Sequence, residues 1–163
     1  MSVKFKPIEA TGSPVSPVSP IFMPALAGFP PSSAAASVAT SGFLSGIGFT
    51  NTGPTAFLYR LVKPRGTGST FVIKALFYAP SSGQIYLSAR ADKGHTVGVG
   101  AYTNLAASLA GTVLTSITTG SVTPGNSPAD EDWITLELKR TPASETGGMA
   151  APATLIGFYI DWA

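Results

Sequence analysis

From Trp133 to Arg140 the chain alternates apolar and polar positions. Ile134, Leu136 and Leu138 fall on one side of an extended backbone, and Thr135, Glu137 and Lys139 fall on the other. Strand side chains point to opposite faces with period two, so 132–140 predicts a central strand of an antiparallel sheet, with one face in a core and one toward water. A helix would scatter the same residues around its girth. Strands are likewise predicted over 42–49, where Phe43, Ile47 and Phe49 share a side, and over 56–62. A hairpin is read next: 70–78 is β-branched and aromatic, stops at Ala79-Pro80-Ser81-Ser82-Gly83, and returns as 84–90. Further strands are expected over 112–118 and 153–162, the last with Ile156, Phe158, Ile160 and Trp162 as one apolar side. Residues 97–102 and 105–109 fit no single state. Residues 32–40 are small and neutral, with a short helical turn expected around Ala34, Ala35 and Ala36.

About seven or eight strands joined by loops, without a convincing long helix, predict an all-β fold: an antiparallel β-sandwich (jelly roll) over 32–163. Residues 1–31 obey a different rule. Ser13-Pro14-Val15-Ser16-Pro17-Val18-Ser19-Pro20 places proline at every third position, which fixes φ, removes donors and favours extended polyproline II. A solvated linker would not spend Ile21, Phe22, Met23 and Phe29 on water. The segment is therefore read as an extended N-terminal arm, with Pro14, Pro17, Pro20, Ile21, Phe22, Met23 and Phe29 as its partner-docking residues. It can dock in a groove of a neighbouring subunit, or fold back over its own sheet as a first edge strand. Deleting 1–31 is expected to leave the sandwich folded.

Charge narrows the classes of function. Only 11% of residues are charged and the net charge is +2, with the basic residues dispersed. That weighs against nucleic acid, which asks for a basic stripe. There is no charged residue from Ala10 to Tyr59 or from Gly94 to Ala129. Such neutral tracts suggest surfaces that face protein, either the chain's own core or a partner. The absence of cysteine removes disulfides, thiolate chemistry and Cys-based zinc sites. The N-terminal residues lack the apolar run of a secretory signal, and no stretch has the length and apolarity of a membrane span.

Candidate chemistry is sparse. His95 is the one histidine, and no Gly-x-Ser-x-Gly turn is present to make it part of a hydrolytic triad; it is read as an exposed loop residue. Asp130-Glu131-Asp132 could offer oxygen ligands to calcium, but lacks the alternating spacing of a dedicated loop, so a solvated acidic turn is expected. Carboxylates for glycoside hydrolysis would have to come from Asp92, Asp130, Glu131, Asp132, Glu137, Glu145 and Asp161, which the sequence cannot set face to face. No catalytic residue and no cofactor is implied. Tyr59, Tyr78, Tyr86, Tyr102 and Trp133 could line a sugar platform, although aromatics at strand positions more often belong to a core.

The run from Ala56-Phe57-Leu58-Tyr59-Arg60 through 71–78 and 133–140 to Leu155-Ile156-Gly157-Phe158-Tyr159-Ile160 resembles the jelly-roll modules of tailed-phage virion proteins. The resemblance covers roughly residues 55–163 and is one of pattern, without a diagnostic motif. It implies a homotrimeric, non-enzymatic structural component. A short chain with an N-terminal arm is most similar to a capsid decoration (cement) protein, made in the host cytoplasm and seated on the virion. Its expected partners are its own copies and the major capsid protein, with neither nucleic acid nor membrane. The alternative is a phage tail-fibre or receptor- or glycan-binding jelly-roll module. A trimeric signalling jelly roll of the tumour-necrosis-factor type is disfavoured by the missing signal, sequon and cysteines.

Overall fold

A computed structural model describes residues 20–30, 37–41, 44–95, 98–145 and 152–163. Among them the chain forms two antiparallel sheets packed as a β-sandwich of the jelly-roll kind, as the alternation predicts. The strands are β1 (Ile21–Pro24), β2 (Ser37–Ser41), β3 (Leu44–Phe49), β4 (Thr55–Val62), β5 (Phe71–Tyr78), β6 (Gly83–Lys93), β7 (Thr103–Leu109), β8 (Leu114–Thr118), β9 (Trp133–Arg140) and β10 (Ala153–Trp162). One sheet runs β2-β3-β10-β5-β8, with β1 also on β10; the other runs β4-β9-β6-β7.

β9 is central in its sheet, flanked by β4 and β6. Ile134, Leu136 and Leu138 are fully buried beside Tyr59, Leu87 and Ala89. β10 does the same in the larger sheet, turning Phe158, Ile160 and Trp162 inward. The two inner faces meet where the Tyr59 and Phe158 rings pack edge to face, centroids 4.7 Å apart. Tyr59 keeps its hydroxyl satisfied by donating to the Ala25 carbonyl at 3.0 Å. Burial pushes that phenol well above its ordinary pKa.

Arg140 departs from the simple alternation. Period two sets it on the core side with Leu138, where an unpaired charge would be prohibitive. Its side chain is fully buried, and Glu145 reaches it from the turn after β9. Nε donates to Oε1 at 2.8 Å, Nη2 donates to Oε2 at 2.9 Å, and Nη1 donates to the Phe49 carbonyl at 3.0 Å.

The arm folds back, as far as it is described. β1 pairs with the later half of β10, from Ile21↔Ile160 to Pro24↔Gly157, while β3 pairs with its first residues. The two short strands therefore lie end to end along one edge of β10. Gly157 permits this. A Cβ there would come within 2.7 Å of the Phe22 ring and 3.0 Å of the Met23 carbonyl oxygen. Phe22 instead lies against Tyr159, ring centroids 5.0 Å apart. Ile21 and Met23 are half-buried, and Phe22 is exposed. Pro14 and Pro17 lie outside the described residues. The described sandwich therefore takes in residues 20–30 as well, and the edge-strand placement of the arm holds for Ile21–Pro24.

Three local expectations change. The segments 70–78 and 84–90 are strands but not a hairpin: β5 pairs with β10 and β8, and β6 with β7 and β9. Alternation tells each strand which face is apolar, and Ala79–Ser82 carries the chain from one sheet to the other. The undecided 105–109 is part of β7. Of the small neutral run, 37–41 is strand β2 and not helical, whereas Ala34–Ala36 and Phe43 lie outside the described residues.

Candidate functional site

The outer face of the four-stranded sheet is built by register. Leu58, Glu137 and Arg90 stand in one row across β4, β9 and β6, and Arg60, Thr135 and Asp92 stand in the next. Ala56, Lys139, Ser88 and Asn104 form the row beyond, and Val62 and Trp133 begin the face at the opposite end. These are the polar-side positions of the alternating strands, so one expects them simply hydrated. They are not: Thr135 and Glu137 are almost wholly buried by their neighbours.

Tyr102, just before β7, packs beside Glu137. The Arg90 guanidinium carbon sits 4.5 Å from its ring centroid and the Lys139 ammonium 5.5 Å from it. The tyrosine hydroxyl donates to Glu137 Oε2 at 3.2 Å, and Arg90 Nε donates to the same oxygen at 2.6 Å. Partial burial and the neighbouring Glu137 charge raise the Tyr102 pKa above its ordinary value. Beside it Ser88 Oγ donates to Asn104 Oδ1 at 2.7 Å.

The opposite edge of the row carries Phe29. Its backbone exchanges two hydrogen bonds with Leu58, at 2.8 and 2.9 Å, which extends the sheet by one residue beyond β4. Arg60 lies over the Phe29 ring, 4.9 Å from its centroid. The row Phe29–Leu58–Glu137–Arg90–Tyr102 thus has an aromatic–cation pair at each end and a fixed carboxylate in the middle. Trp133 completes the face. It is 55% exposed, four residues along β9 from Glu137, or ~13 Å at strand rise.

Exposed aromatic rings beside immobilised planar polar groups can hold a ligand that has both apolar faces and hydroxyl edges. Tyr86, half-buried, stands on the same face opposite Ala106. Of the five aromatics that could line a sugar platform, Tyr86, Tyr102 and Trp133 are on this face. Tyr59 is core, and Tyr78 belongs to the other sheet. Phe29 was expected as an arm anchor and sits here too, while Ile21, Phe22 and Met23 are on β1 at the larger sheet, and Pro20 is exposed beside them. The sequence carries no local signal for Phe29 or Arg90 in this role, because their neighbours come from other strands.

The remaining candidate chemistry is structural. Asp92 is buried and accepts backbone N–H groups of Gly98, Val99 and Gly100, at 2.7, 3.3 and 2.7 Å, fastening the loop after β6. Asp130 pairs with Lys63 and accepts the Gly66 N–H at 2.9 Å, Glu131 pairs with Arg65 at 2.9 Å, and Asp132 with Lys93 at 2.8 Å. The acidic run is thus an ion-paired turn entering β9. Among the described residues no group of three or more His, Asp or Glu side chains is placed to hold a metal. His95 is exposed. No helix among the described residues is long and apolar enough to cross a membrane.

No family profile matches this chain, and no curated protein is similar to it in sequence. Solved structures do match in shape. The CBM36-1 domain of a multidomain xylanase from the hindgut metagenome of Trinervitermes trinervoides superposes with a TM-score of 0.55 at 10% identity, over 88% of this chain and 98% of that one. A family 6 carbohydrate-binding module gives 0.50 at 14% identity, over 88% and 94%. An exo-β-1,3-galactanase from Phanerochaete chrysosporium, solved with galactose, gives 0.50 at 10% identity, but this chain spans only 29% of it. The likeness is one of fold.

Proposed function

We propose that this protein is a glycan-binding β-sandwich module that takes a carbohydrate chain on the outer face of its four-stranded sheet. The observation that carries the proposal is Trp133, a large indole left more than half exposed on a strand whose next outward side chains, Thr135 and Glu137, are buried and hydrogen-bonded. Sugar rings lay their C–H faces on aromatic rings, and their hydroxyls bond to planar polar side chains held in place beforehand. Tyr102 and Trp133 supply the first element, and Arg90, Glu137 and Asn104 the second. The shared architecture with carbohydrate-binding modules supports the same reading.

Binding without catalysis is the form this takes. Glu137 is held by Arg90 and Tyr102, and Asp92 by three backbone amides, so the carboxylates of this face serve internal hydrogen bonds.

Affinity electrophoresis through a panel of soluble polysaccharides tests the proposal. Retardation by at least one polymer is expected, weakened roughly tenfold or more in Trp133→Ala and Tyr102→Ala. Migration unchanged by every polymer would end it.

A virion setting is a second proposal, in which the module serves a phage tail as receptor-binding component or, as capsid cement, covers capsid subunits as a homotrimer. Phe22 and Leu114, 46% and 52% exposed on the outer side of the larger sheet, favour contact of that face with protein. Co-purification with virus particles checks it.

A further inference from the structure

The charge on the candidate face is unbalanced. Arg60, Arg90 and Lys139 stand there with Glu137 and the buried Asp92. Glu137 is engaged by Arg90, and Asp92 is turned to the backbone amides of its own loop. Arg60 and Lys139 have no carboxylate within salt-bridge distance among the described residues; each lies instead against an aromatic ring. Guanidinium and ammonium groups kept over rings hold their stems out of water while their charge remains available.

The two cations are also separated. Arg60 stands opposite Thr135, and Lys139 is four residues further along β9, ~13 Å at strand rise. One carboxylate cannot span both, but a polymer with anionic groups repeated along its length can. Such a chain would run along β9, with Trp133 and Tyr102 under its rings and a cation toward each side.

Resting on the glycan-binding reading, we infer that the preferred ligand is an acidic polysaccharide, one whose sugars carry carboxylate or sulfate groups that Arg60 and Lys139 neutralise. Exposed charge pairs are modest individually and screened by salt, so the preference is additive and falls as ionic strength rises.

The full chain is titrated with polygalacturonate, its fully methyl-esterified form, a sulfated galactan, a neutral galactan and single-stranded DNA. The free acid or the sulfated polymer is expected to bind at least roughly five- to tenfold more tightly than its uncharged counterpart, the difference shrinking with added salt. The better of the two names the anion. In Arg60→Gln/Lys139→Gln this difference is lost, with melting unchanged; the comparison of free acid with methyl ester needs no variant and stands if the double variant folds poorly. Binding in which neither the free acid exceeds its methyl ester nor the sulfated galactan exceeds the neutral one overturns the acidic preference and leaves the glycan reading intact. Failure of every polysaccharide overturns both. Tighter binding of DNA than of any acidic polysaccharide overturns the inference in favour of nucleic acid.

Discussion

Arg90 and Glu137 face each other directly across β6 and β9, and the Nε–Oε2 hydrogen bond between them is 2.6 Å long, with Tyr102 donating to the same oxygen from just before the edge strand β7. One carboxylate oxygen therefore positions both the guanidinium and the ring of the candidate platform. The pair is mostly out of water, with side chains 21% and 10% exposed, so its geometry is worth more than that of a surface ion pair.

Glu137→Gln is expected to lower stability by about 1.5–3 kcal/mol, because hydrogen bonds to charged groups carry that much. Glycan affinity should fall with it, as Tyr102 and Arg90 lose their common anchor. Tyr102→Phe, which removes only the longer bond, should cost less on both counts. Chemical denaturation and affinity electrophoresis on the three proteins decide this, and equal losses in both variants would refute the anchoring role of Glu137.

Deleting residues 1–31 removes β1 and, with Ala25, the carbonyl that accepts the Tyr59 hydroxyl. A buried phenol is left without its partner and the edge of β10 is opened. The truncated protein is expected to lose at least about 2–3 kcal/mol or to fail to fold, contrary to what an independent arm would predict. An unchanged unfolding transition would restore the independent arm.

The buried Arg140–Glu145 pair makes a third prediction. Glu145→Ala leaves a fully buried guanidinium, bonded to the Phe49 carbonyl, without the Glu145 carboxylate, and should cost about 3–5 kcal/mol. Arg140→Met combined with Glu145→Leu should recover most of the loss, since the charge is removed together with its need for a partner. Urea denaturation of single and double variants measures the difference.

Acid should weaken the fold through the turn before β9. Asp130 is held below the usual carboxylate range by the Gly66 N–H and then by Lys63, and Asp132 by Lys93 and then by the Ala129 N–H. A depressed folded pKa means stability that is present above the unfolded value of 3.8 and lost as pH falls through the folded values. At the alkaline end the raised Tyr59 pKa has the opposite sign. Its contribution is present below the ordinary 10.0 and is lost as pH rises toward the folded value. Thermal melts from about pH 2 to pH 11 should show both shoulders, and Asp130→Asn should flatten the acid one. An acid limb identical in that variant would contradict the assignment.

What local sequence determined is the set of strands and their inward faces. Ile134, Leu136 and Leu138, or Phe158, Ile160 and Trp162, announce a buried side because the pleat alternates with period two whatever the partner strand is. That same rule says nothing about neighbours, and here the tertiary structure decided. It parted β5 from β6 into different sheets, laid β1 along β10, and met the inward-facing Arg140 with a glutamate five residues on. It also sorted the aromatics, burying Tyr59 while bringing Tyr102, Trp133 and the distant Phe29 onto one outer face. Such a face is assembled by hydrogen-bond register between strands far apart in the chain, and only the closed sheets bring those residues together.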